Sequence, residues 1–67
     1  MEISARNQLK GRVKTVTPGA VMTEVVVDIG GHELVSMISK ASAERLGLKV
    51  GDPVVAIIKA TGVMIGK

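Results

Sequence analysis

The 67-residue sequence contains no cysteine, phenylalanine, tyrosine or tryptophan. Without thiols, no disulfide or thiolate metal centre can staple so short a chain. Without rings, the interior must be built from Val, Ile, Leu, Met and Ala, and single-stranded bases would find nothing to stack on. Long apolar runs are missing as well: Val54-Val55-Ala56-Ile57-Ile58 falls far short of the ~20 residues a membrane helix needs. The net charge of +3 is spread along the chain, and no Lys/Arg run forms a nucleic-acid arm. Met1-Glu2-Ile3 lacks the basic and then apolar pattern of a secretory leader. These absences lead to the expectation of a cytoplasmic protein with neither membrane nor nucleic acid as partner.

Catalytic groups are scarce. The one histidine, His32, follows Gly30-Gly31 with no nucleophile arranged beside it, the usual setting of a solvated strand residue. Glu24, Asp28, Glu44 and Asp52 stand where exposed residues go, and nothing in their spacing pairs them for acid–base work. No glycine-rich phosphate loop ends in Lys-Ser or Lys-Thr. A binding protein is expected, not an enzyme.

What is present is a 46% hydrophobic fraction in a chain near the lower size limit for independent folding. One domain, 1–67, is expected, with much of its apolar surface laid against other copies of itself. From Ile3 to Thr17, Arg6, Gln8, Lys10, Arg12 and Lys14 share one parity and Leu9, Val13 and Thr15 the other, the period of a strand with one wet face. Pro18-Gly19 marks a turn. Val21, Thr23, Val25, Val27 and Ile29 share a face of a second strand, Gly30-Gly31 signals a hairpin, and His32 to Ile38 forms a third. Ser39 is placed to cap a short helix, Lys40 to Leu46, that closes at Gly47. Gly51-Asp52-Pro53 leads into a strand to Lys59, Ala60-Thr61-Gly62 turns, and Val63 to Ile65 reads as a last strand. Three strands, a helix and two strands make an all-β chain with one short helix, in the order of a five-stranded OB-type barrel. A small OB-type nucleic-acid-binding module is therefore the rival reading, favoured by positive charge and opposed by the missing rings.

An anion site needs fixed donors instead of titrating groups. Three places supply them. Ser4-Ala5-Arg6-Asn7-Gln8-Leu9-Lys10-Gly11 combines a hydroxyl, a guanidinium, two amides and an ammonium with no carboxylate; on a strand, Ser4 and Arg6 would project to the same side. Ser39 to Ser42 offers two hydroxyls around the free N–H groups of a helix start. Lys59-Ala60-Thr61 puts a cation and turn amides at the end of an apolar strand.

The opening octet, together with Ser39-Lys40-Ala41-Ser42-Ala43-Glu44-Arg45-Leu46-Gly47-Leu48, Val50-Gly51-Asp52-Pro53-Val54 and Ile58-Lys59-Ala60-Thr61, resembles the molbindins, small bacterial molybdate-binding proteins of the TOBE/Mop type. The resemblance runs over essentially the whole chain. It implies a homohexamer, a trimer of dimers, holding molybdate or tungstate between subunits for intracellular storage. It further implies that Ser4, Arg6, Lys59, Ala60 and Thr61 come from one chain and Ser39 and Ser42 from a neighbour, with further anions on the symmetry axes.

Overall fold

The computed structural model describes residues 1–67. Its elements are β1 (Asn7–Pro18), β2 (Met22–Asp28), β3 (Glu33–Ser39), α1 (Lys40–Leu46) and β4 (Pro53–Ile58), followed by a 3-10 turn at Ala60–Gly62. The strands form one antiparallel sheet in the order β3-β2-β1-β4, curled into a half-barrel. The all-β character with a single short helix is as expected, but there are four strands, not five. Val63–Ile65 continues past the turn without pairing to any strand of its own chain.

The hairpin between β2 and β3 forms where Gly30-Gly31 places it. Both glycines have positive φ, 70° and 93°, as a turn matched to strand twist requires, and the Ile29 N–H donates to the His32 carbonyl at 2.8 Å. On β2 the alternation holds: Thr23, Val25 and Val27 are buried and Glu24 and Asp28 are exposed. On β1 it breaks. Val13 pairs with Val27 but Thr15 with Val26, so Lys14 bulges out of the ladder. A bulge inserts one residue and flips the parity beyond it. Val16 therefore turns inward in place of Thr15, which is exposed. Lys14, thrown outward, forms an ion pair with Glu33.

β1 serves two neighbours in succession. Residues 7–12 pair with β4 and residues 12–18 with β2, so the strand pivots at Gly11 and Arg12. A side chain at Gly11 would sit 2.4 Å from the Asp28 carbonyl oxygen, so only hydrogen fits where β1 passes from one ladder to the other. Beneath the pivot, the Lys49–Asp52 turn ties back to β1: the Val13 N–H donates to the Asp52 carbonyl at 2.9 Å, and the Gly51 N–H to that of Val13 at 2.8 Å.

The interior is small. Val13, Val25 and Val27 form its centre, with Val16, Ile29, Leu34, Ile38, Leu48 and Val54 packed around them. Only 5 of 67 residues are buried, while Met22, Val35, Met37, Leu46 and Val55 remain at least 40% exposed. So little core leaves a chain of this size marginal on its own.

Candidate anion site

The register of β1 against β4 builds the site. Asn7 pairs with Ile58, which brings the residues just before β1 beside those just after β4. An open pocket of about 570 Å³ results, lined by Ser4, Ala5, Arg6, Asn7, Lys59, Ala60 and Thr61. All five residues expected from a single chain meet there, although 53 positions separate Arg6 from Lys59 (59 − 6).

Ser4 and Arg6 reach the pocket from a loop, not from the strand expected to begin at Ile3. The Gln8 N–H folds back onto the Arg6 carbonyl at 3.1 Å, and the Gln8 side-chain amide donates to the Ala5 carbonyl at 2.6 Å. Gln8 thus pins the loop, and its amide is already committed. Asn7 and Ala5 also line the pocket; both belong to the donor-rich octet but were not among the residues expected to touch the anion. The available signal for Asn7 was its place at the end of the β1–β4 ladder, which only pairing reveals.

The chemistry of the lining is one-sided. Arg6 and Lys59 belong to neither of the chain's two ion pairs, which join Lys14 to Glu33 and Lys49 to Asp52. No carboxylate lines the pocket. The 3-10 turn begins at Ala60, so the N–H groups of Ala60 and Thr61 precede its first turn bonds, which run from Gly62 to Lys59 at 2.9 Å and from Val63 to Ala60 at 3.3 Å. Two cations, two hydroxyls, one amide side chain and the backbone N–H groups at the start of the turn form a set that gives hydrogen bonds to an anion and repels a cation. Nowhere do three His, Asp or Glu side chains converge to hold a metal cation.

Ser39 and Ser42 lie elsewhere. Ser39 caps α1 in the extended conformation, its Oγ accepting from the Ser42 N–H at 3.0 Å and donating to the Ser42 Oγ at 2.8 Å. Arg45 approaches the Ser42 Oγ at 3.4 Å. Met22 pairs with Ser39 and Thr23 with Pro18, so this cap sits at the far end of β1 from the pocket. No single chain brings the two places together.

A curled antiparallel half-barrel with a donor-lined pocket at one strand end is the setting in which the family relationships are read. The chain belongs to the TOBE domain family, whose model matches residues 3–65. Within that family it falls with the molybdenum-pterin-binding proteins. It is 54% identical over 66 residues to molybdenum-pterin-binding protein 3 of Clostridium pasteurianum, a match covering 97% of each chain. Among solved structures it superimposes on a molybdate binding protein from Sporomusa ovata with a TM-score of 0.95 at 43% identity, over the full length of both chains. It also matches the cytoplasmic molybdate-binding protein ModG with molybdate bound, at a TM-score of 0.85 and 48% identity, covering 90% of this chain and 43% of that one.

Proposed function

We propose that this protein binds molybdate, or tungstate, non-covalently in the pocket between the start of β1 and the end of β4, and acts as an intracellular store for the oxyanion. The observation that carries the reading is the lining itself: Arg6 and Lys59 without a carboxylate, beside the hydroxyls of Ser4 and Thr61 and the turn at Ala60. A fully deprotonated tetrahedral dianion only accepts hydrogen bonds, so a donors-only site receives it whole. Hydrogen phosphate brings a proton that meets no acceptor, which costs about 1–3 kcal/mol, roughly five- to 150-fold in affinity. The relatives named for molybdenum-pterin or molybdate binding support the same ligand class. Binding, with no bond made or broken, is the whole activity in this reading.

The site is completed by a second copy. The pocket is open on one side, and the hydroxyls of Ser39 and Ser42 reach it only from a neighbouring protomer. The small core and broad exposed apolar surface support an assembly, which we take to be a hexamer built as a trimer of dimers. A ligand held between protomers stabilises the assembly it binds. Isothermal titration with molybdate tests the site. Arg6→Ala and Lys59→Ala each remove a charge-assisted donor, a loss of about 1.5–3 kcal/mol or roughly 10- to 150-fold in affinity. Unchanged affinity in both variants refutes the assignment.

A further inference from the structure

Gln8 holds the loop before β1 by two hydrogen bonds, and both end on carbonyl groups. Its side-chain amide donates to the Ala5 carbonyl at 2.6 Å and its N–H to the Arg6 carbonyl at 3.1 Å. Ala5, Arg6 and Asn7 line the anion pocket, whereas Gln8 does not. Successive strand residues point to opposite faces, so Gln8 grips the loop from the side away from the pocket. A carbonyl drawn toward Gln8 is thereby drawn out of the pocket. The peptide unit is planar and trans, so its N–H points opposite to its C=O. Turning the Ala5 carbonyl outward therefore turns the Arg6 N–H, the other end of the same peptide, inward. That N–H donates to no carbonyl of its own chain.

We propose that Gln8 is a positioning residue that sets which oxyanion the pocket accepts without itself touching the anion. The proposal rests on the anion-binding reading above and adds to it the source of the selectivity. Gln8 does two things with one bond: it aims a backbone donor into the pocket and keeps a backbone acceptor out of it. A carbonyl facing the pocket would repel a bare dianion, and it would receive the proton of hydrogen phosphate. Held on the outer side, the Ala5 carbonyl does neither. The side chain is free to be replaced. Gln8 is exposed and belongs to neither ion pair, and its pairing with Ile57 in the β1–β4 ladder is a matter of backbone.

Methionine at this position keeps the length and the absence of charge and loses only the donor. Gln8→Met is titrated by calorimetry with molybdate alone, and then with molybdate in competition with phosphate. A mildly alkaline pH keeps both anions in their dianionic forms. Molybdate affinity is expected to fall about 5- to 30-fold, between the loss of a neutral hydrogen bond and the loss of a donor to a charged group. Phosphate affinity is expected to fall less or to rise, because the freed carbonyl accepts its proton. The preference for molybdate over phosphate then narrows by about threefold or more. A loop that was merely loosened would weaken both anions alike; an unchanged preference, or an unchanged molybdate affinity, overturns the proposal. In nitrogen-15-labelled parent protein the Arg6 amide proton is expected to move downfield when molybdate is added, and to move less in Gln8→Met. An Arg6 amide that does not respond in the parent overturns it as well. Circular dichroism of the two proteins without ligand is expected to be the same. A parent that binds no molybdate sinks the anion site itself. A parent that binds it, with Gln8→Met equal in affinity and preference, sinks the role of Gln8 alone.

Discussion

Replacing Gly11 by alanine puts a methyl group into the pivot of β1. The added carbon would stand 2.4 Å from the Asp28 carbonyl oxygen, 2.7 Å from Val27 Cγ1 and 2.8 Å from Ile29 Cγ2. The first of these is backbone in a paired strand, and Arg12 is hydrogen-bond register partner to that same Asp28, so no side-chain rotation relieves the clash. Either β1 and β2 separate or the pairing slips. Overpacking of this kind costs about 1–3 kcal/mol. Alanine offsets about 0.4–1 kcal/mol of that by restricting the unfolded chain. The backbone contact places the expected result toward the upper part of the range, a net loss of about 1–2 kcal/mol. For a domain of this size each kcal/mol moves the melting temperature by roughly 4–8 °C. Thermal unfolding is followed by circular dichroism at one fixed protein concentration, because assembly makes the midpoint concentration-dependent. Gly66→Ala, whose added carbon meets nothing within 4 Å, serves as the neutral control. Since the pivot also sets how the start of β1 lies against β4, molybdate affinity is expected to fall together with stability. A Gly11→Ala protein as stable as its parent would refute the reading of β1 as a strand hinged on a side-chain-free position.

Ser39→Ala removes the acceptor for the Ser42 N–H and should cost about 0.5–2 kcal/mol of stability. Ser42→Ala keeps that cap, so a drop in molybdate affinity by titration calorimetry in Ser42→Ala, with its melting temperature nearly unchanged, is the outcome expected if the hydroxyl serves a neighbour's site. The Lys14 ammonium is raised above its ordinary value of 10.5, by its hydrogen bond to Glu33 and by that carboxylate's charge. A raised folded value means the pair's contribution is complete below the lysine pKa of the unfolded chain and is lost as pH climbs through the folded value. An NMR titration of Lys14 should show its pKa lower in Glu33→Gln than in the parent, since the hydrogen bond and the largest charge that raise it are both removed. Single-stranded DNA and RNA should not be retarded by the protein at physiological salt, since no aromatic ring is present to stack a base. Retardation at that salt would revive the nucleic-acid reading.

Local order in this chain was written locally. Ser39 as cap, Gly30-Gly31 as hairpin, the Thr23–Val25–Val27 alternation of β2 and the stop at Gly47 each depend on neighbours within a few residues, and all appear where composition and spacing put them. The identity of the donors was legible too, because a patch rich in hydroxyls, amides and cations yet free of carboxylates is visible as composition. Three matters needed the folded chain. The bulge at Lys14 reverses the parity that simple alternation extends to Thr15, and a bulge is a property of two paired strands, not of one. The meeting of Arg6 with Lys59 is set by the register of β1 on β4, a long-range choice made by which apolar faces can be buried together. Last, Val63–Ile65 has the sequence of a strand yet pairs with none of the four, because pairing depends on a free edge within reach and not on the segment's own residues.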